Sequence, residues 1–139
     1  MTTWVYRRPV TATRFLAVLM VVAGAVLIVA PTLAYDPGPA PDTFEAIERR
    51  IWWGGLLGLG AAVLAYRPAT WPIALGWLVF WVVSGFLVAR LVGLVLDGAD
   101  DLRQWGWVAA ETALVAAASW FVGYWRRRSP SNASSDSAV

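Results

Sequence analysis

Four apolar stretches separated by short polar ones dominate the chain, at residues 15–35, 51–66, 70–96 and 104–125. Each can be measured against the roughly 20 residues that a helix needs to cross a ~30 Å hydrocarbon core. The first carries no charge, whereas the third and fourth are continuous only if Arg90 and Glu111 are admitted. The second is short, but Asp42 followed three residues later by Glu45 is a capping-box pattern that starts a helix near Thr43, ahead of the apolar run. The pattern therefore predicts helices over about 12–35, 43–66, 70–96 and 102–126, forming one transmembrane domain over 1–126, with a basic and then disordered tail over 127–139. The first run is preceded by Arg7 and Arg8 and contains "TLA" before Tyr35. It is longer than the 7–15 residues usual for the apolar core of a signal peptide, so it reads as a retained helix.

The connectors set the expected arrangement. "RPATWP" and "DGADDLR" are so short that the helices they join must be antiparallel neighbours, which makes an all-α, up-down-up-down four-helix membrane bundle the economical fold. The longer connector "DPGPAPDTFEAIERR" opens with Pro37, Pro39 and Pro41, which favour extended backbone, and is placed to fold over one mouth of the bundle.

Composition agrees: 59% of the 139 residues are hydrophobic and the mean hydropathy is +0.59. Charge gives an orientation. Arg7, Arg8, Arg14, Arg67 and Arg126 to Arg128 fall on one side, and Asp36, Asp42, Glu45, Glu48, Asp97, Asp100 and Asp101 on the other, with Arg49, Arg50 and Arg103 among them. Because cytoplasmic flanks collect basic residues, both termini are expected in the cytoplasm, and the arginine-only, alanine- and glycine-rich composition points to a bacterial inner membrane. Trp52, Trp53, Trp71, Trp105, Trp107, Tyr124 and Trp125 lie near helix ends, where amphipathic rings favour the headgroup level. The chain has no Cys and no His, which excludes thiolate chemistry and the commonest general base and metal ligand. No cofactor or metal site is expected.

The two charges inside apolar runs carry the chemistry that the sequence offers. Arg90 lies seven residues inside Asp97 and Glu111 seven residues inside Gln104, so both come out about 10 Å deep at ~1.5 Å per residue. Seven residues is close to two turns, which puts Arg90 and Asp97 on one helix face and Gln104 and Glu111 on another. An isolated charge at such depth costs about 2.5–3.5 kcal/mol or more, so an Arg90–Glu111 pair is the favoured reading, ahead of a polar ligand cavity or a proton-transfer site. Arg90 alone has a stem long enough to reach the headgroups; Glu111 does not.

Small residues mark close helix approach. Gly54, Gly58 and Ala62, and then Gly85, Ala89 and Gly93, form small-xxx-small stripes read first as internal packing and second as a homo-oligomer or a dock for a larger complex. "GGLLGLG" lacks the Lys-Ser/Thr and the preceding strand of a phosphate loop.

Glu48, Arg50, Trp53, Gly54 and Gly55 in "ERRIWWGG", Arg90, Gly93, Asp97 and Gly98 in "ARLVGLVLDG", and Glu111 resemble an uncharacterised bacterial family of small four-helix membrane proteins. That family's pattern is Glu-x-Arg-x-x-aromatic-Gly-Gly, then Gly-Arg-x-x-Gly-x-x-x-Asp-Gly, then a Glu in the last helix. Trp53 stands where Tyr is usual and Ala89 where Gly is usual, and the likeness spans roughly residues 12–125. The chain is also distantly similar to DoxX-type four-helix membrane proteins, some of which associate with oxidoreductases or quinone chemistry. The resemblance implies a four-helix fold and one site of Glu48, Arg50, Arg90, Asp97 and Glu111 near the outer half of the bundle, with Arg50 at its mouth compensating Asp97 or Glu48 and Arg90 meeting Glu111 deeper down, but no activity. Ser84, Ser119 and Tyr35 are isolated hydroxyls without a nearby base. The expected function is therefore that of a non-enzymatic membrane protein serving as an accessory or packing subunit of a larger complex. The alternative is a binding module for a lipid, isoprenoid or quinone with its polar end at Arg90 and Glu111; no nucleic-acid partner is expected.

Overall fold

The computed structural model describes residues 7–35, 38–40, 42–67 and 69–128, with side chains from residue 12 onward. The expectations for Asp36, Pro37, Pro41, the side chains of Arg7 and Arg8, and the tail beyond Arg128 lie outside the described residues. The protein is all-helical: α1 (Arg7–Val29), α2 (Thr43–Ala65), α3 (Trp71–Leu96) and α4 (Leu102–Arg128), with a 3-10 turn at Pro31–Leu33. Three of them, α1, α3 and α4, are long and apolar enough to cross a membrane; α2 is not counted with them, because Glu45, Glu48, Arg49 and Arg50 crowd its first half.

Local chemistry sets the helix ends. The first helix stops at Val29 rather than reaching 35, because Pro31 has no N–H to donate and disfavours helical backbone at the residue before it; one 3-10 turn follows instead. Asp42 caps α2 by accepting the Glu45 N–H at 2.8 Å. The reciprocal half of the capping box does not form, since the Glu45 carboxylate takes Arg49 at 2.7 Å while Arg49 also donates to the Gly38 carbonyl. At the end of α3, Gly98 adopts φ +112°, a conformation that residues with a Cβ rarely adopt, and turns the chain toward α4. Asp101 then accepts the Arg103 N–H at 2.9 Å at the start of α4. Hydrogen bonds from the Arg103 side chain and backbone hold the Asp101 carboxyl below the ordinary carboxylate range.

Helices pack in chain order. α1 lies on α2, α2 on α3 and α3 on α4, with a minor α1–α3 contact and no substantial α1–α4 interface. Along each pair the contacts run in opposite order: Gly60 meets Ala17 and Gly24 meets Leu57; Gly58 meets Trp81, Gly54 meets Gly85 and Gly93 meets Ile47; Gly76 meets Val122 and Arg90 meets Glu111. The most extensive packing thus joins helices that are adjacent in the chain, with α1 also touching α3 and Gln104 of α4 reaching the Phe44 carbonyl of α2.

The α2–α3 contact is the tightest of the three. Gly54 and Gly85 pack backbone to backbone, and Gly58 lies against the Trp81 carbonyl and the Val82 Cα, so a methyl group at any of the three would overlap the facing chain. Ala89 contacts Gly54, and Gly93 receives the Ile47 side chain, which is fully buried. Both small-residue stripes are in this way occupied within one chain over most of their length.

This packing makes a specific demand on Gly85. Gly85→Val is expected to lower stability by about 1–3 kcal/mol, the cost of overpacking, whereas Gly106→Val, where an added Cβ meets nothing within 4 Å, should be near neutral. Thermal unfolding in mild detergent, followed by circular dichroism, compares the two.

Candidate functional site: a buried arginine network

Two arginines gather the polar groups of the four helices at the end where α1 and α3 finish and α2 and α4 begin. Arg90, on α3, has only 3% of its surface exposed. Its Nε donates to Glu111 Oε1 and Oε2 at 3.1 and 3.2 Å and its Nη2 to Glu111 Oε1 at 2.9 Å. The remaining nitrogen, Nη1, donates to Glu48 Oε1 at 3.0 Å and to Gln104 Oε1. Gln104, fully buried, turns its amide nitrogen to the Phe44 carbonyl at 3.3 Å, and the Trp107 ring lies 5.6 Å from the guanidinium carbon. One side chain thereby holds α2, α3 and α4 together.

Arg50 performs the same task one layer further out. Its Nε and Nη2 form a two-pronged pair with Asp97, at 2.6 and 2.8 Å, and its Nη1 donates to the Ile28 and Val29 carbonyls at 2.6 and 2.8 Å. Those carbonyls end α1, where no helical N–H is left to receive and the helix dipole is negative, so a cation there satisfies both needs. Pro31 is the reason that they are free. Arg50 is accordingly a clasp between the C-terminal ends of α1 and α3, mounted on α2.

Physical chemistry explains why both anchors are arginines. A planar guanidinium presents five donors in a fixed fork, enough to meet a carboxylate along two bonds and still reach two further acceptors; lysine offers a point charge and no fork. Burying such a group is costly unless it is both paired and hydrogen-bonded. Here every guanidinium nitrogen of Arg50 and Arg90 has an acceptor.

All five residues that the sequence singled out, Glu48, Arg50, Arg90, Asp97 and Glu111, are brought into this region in two layers, Arg50 with Asp97 and Arg90 with Glu111 and Glu48. Asp97 pairs with Arg50 and not with Arg90, although the latter lies two turns away on its own helix, and Glu48 goes to Arg90. Four participants were missed by sequence reasoning. Gln104 served only as a depth marker, although its seven-residue spacing from Glu111 on an otherwise apolar helix is a usable signal. Trp107 was assigned to the headgroup level alone, and the Ile28 and Val29 carbonyls leave no trace in the sequence. Among the described residues, no group of three or more His, Cys, Asp or Glu side chains is arranged to hold a metal ion.

A cavity of about 500 Å3 lies beside the outer layer, lined by Tyr35, Arg49, Arg50, Trp52 and Trp53 among others. Its arginines are already engaged, Arg49 by Glu45 and Gly38 and Arg50 by Asp97 and α1. No protein-family model, curated protein or solved structure matches the chain.

Removing one partner of a buried pair leaves the other uncompensated, so Arg90→Ala is expected to cost about 3–5 kcal/mol. Combined with Glu111→Gln, the double variant should be more stable than the sum of the singles predicts, by roughly 0.5–3 kcal/mol; strict additivity in detergent unfolding would rule out the direct pair. Arg50→Lys keeps the charge but loses the fork, and a loss of about 1–3 kcal/mol is expected in the same measurement.

Proposed function

We propose that the protein is a non-enzymatic, multi-pass protein of the bacterial inner membrane that serves as an accessory or packing subunit of a larger membrane complex. In this reading the four helices cross the bilayer up-down-up-down with both termini in the cytoplasm, and the arginine network lies toward the outer face. The orientation is supported by charge: among the described residues Arg14, Arg67 and Arg126 to Arg128 stand at one end, and every acidic residue is in the half that holds the network.

The observation that carries the subunit reading is the state of α4. Only Gln104, Glu111, Ala118 and Val122 are buried, a single stripe at seven- and four-residue spacing that faces α3. Gly106, Ala109, Ala110, Ala113, Ala116 and Ala117 remain exposed, with Leu114 and Trp120 alongside. In lipid, association is driven by close packing, and small residues are what allow helices to approach. An edge helix that spends its small residues on no internal neighbour suits a second protein better than lipid chains. The network supports the same reading, because its donors are consumed in holding α4 to α3 rather than offered to a ligand. A lipid, isoprenoid or quinone at Arg90 and Glu111 would have to displace Glu48 or Gln104. We also propose kinship with the uncharacterised four-helix family, since the residues of its pattern are those that the network uses.

The lack of cysteine makes a direct test simple. A cysteine introduced by Ala113→Cys on the exposed face of α4 is expected to give one discrete crosslinked product in intact membranes, and the same partner should co-purify stoichiometrically in mild detergent. Val18→Cys, on α1, is the control. Diffuse or absent crosslinking from Ala113, with the protein purifying alone and retaining only lipid, would refute the subunit reading.

A further inference from the structure

The opposite end of the molecule differs from the network in one respect: its charges have no counterparts. Arg14 on α1 and Arg67 in the turn after α2 make no ion pair among the described residues, and no described acidic residue lies at that end. Both line a single cavity of about 610 Å3, which opens between the start of α1, the end of α2 and the start of α3. Tyr66 and Trp71 also line it, 64% and 76% exposed, and apart from Thr13 its walls beyond the arginines are apolar or aromatic, with Ala74 and Leu78 along α3. The site is remote from the buried network, since 14 residues of α1 separate Arg14 from the Ile28 carbonyl, about 20 Å at ~1.5 Å per residue.

Two unpaired guanidiniums at the mouth of an apolar groove, flanked by aromatic rings of the kind that settle at the headgroup level, match one class of molecule in both parts. Arginine forks are suited to the oxygens of a phosphate, and the apolar wall is suited to an acyl chain. A free phosphate would use the first feature and ignore the second. We infer that this cavity is a binding site for an anionic phospholipid, its phosphate held between Arg14 and Arg67 and one acyl chain lying along α3 past Ala74 and Leu78. This inference rests on the membrane placement proposed above and is independent of the subunit reading. It also gives a different answer to where lipid chemistry enters the molecule: at the arginine-rich end, and not at Arg90 and Glu111.

The test is a binding titration of the full chain in detergent micelles with dioleoyl phosphatidylglycerol, dioleoyl phosphatidylcholine and inorganic phosphate, read by native mass spectrometry. Phosphatidylglycerol is expected to bind in preference to phosphatidylcholine. Since each arginine near a lipid surface contributes about 1 kcal/mol, Arg14→Gln or Arg67→Gln should weaken phosphatidylglycerol about fivefold and the double variant roughly 30-fold. Arg128→Gln removes an equal charge that lines no part of the cavity and stacks on Tyr124, so it should leave binding unchanged. Ala74→Leu narrows the groove with every charge in place; it should weaken the lipid and not the inorganic ion. Circular dichroism confirms that each variant is folded. Equal binding of the two lipids, an Arg128→Gln loss equal to that of Arg67→Gln, or inorganic phosphate competing as well as phosphatidylglycerol would overturn the site. Alkaline carbonate extraction of membranes separates the two levels: a protein released by carbonate contradicts the membrane placement, whereas a retained protein without headgroup preference contradicts the lipid site alone.

Discussion

A guanidinium removed from water must find a counter-charge and an acceptor for its hydrogens, and the arrangement of α2, α3 and α4 follows from how Arg90 meets that requirement. Its own helix cannot supply the acceptors, because the backbone carbonyls around it are used in the helix itself. Glu48 must come from α2, and Gln104 and Glu111 from α4. The register of α4 against α3 is therefore set by chemistry and not only by apolar packing. This matters because α4 buries a single narrow stripe, of which Gln104 and Glu111 form the outer half and Ala118 and Val122 the inner. Without the arginine, a helix rich in alanine, valine and tryptophan would have few features to distinguish one register from the next.

The α2–α3 interface obeys a different constraint. Its glycines bring the two backbones together so closely that no side chain fits between them, and this proximity is what lets Arg50 on α2 reach Asp97 at the end of α3. Close approach at Gly54 and Gly85 and charge pairing further out are therefore parts of one design. Arg50 adds α1 to the assembly by capping its last carbonyls, an attachment available only because Pro31 ends the helix where it does. The result is asymmetric. At one end each buried charge is paired within the chain; at the other, Arg14 and Arg67 make no ion pair among the described residues, and the chemistry of that end is directed outward.

Much of this was legible along the chain. The number and approximate limits of the helices follow from the four apolar runs, the start of α2 from Asp42, and the turn after α3 from the short connector "DGADDLR". The level match of Arg90 and Glu111 follows from counting residues inward from Asp97 and Gln104, because helical rise is constant and a buried charge has few alternatives to a partner at its own depth. The small-residue stripes identified the closest helix contact for the same kind of reason: only residues without bulk permit it.

What the sequence by itself determined, then, was the inventory and the depth of each group: four helices, two buried arginines, their acids, and the glycines between. Tertiary structure decided between the pairings that this left open. Arg50 could meet Asp97 or Glu48, and takes Asp97 because the glycine contact carries α2 to the end of α3, leaving Glu48 for Arg90. The carbonyls of Ile28 and Val29, the amide of Gln104 and the ring of Trp107 join for reasons of position that no spacing rule encodes. How much each helix packs on each other one, too, emerged only in three dimensions, since period and hydropathy say that a helix must be covered but not by which neighbour.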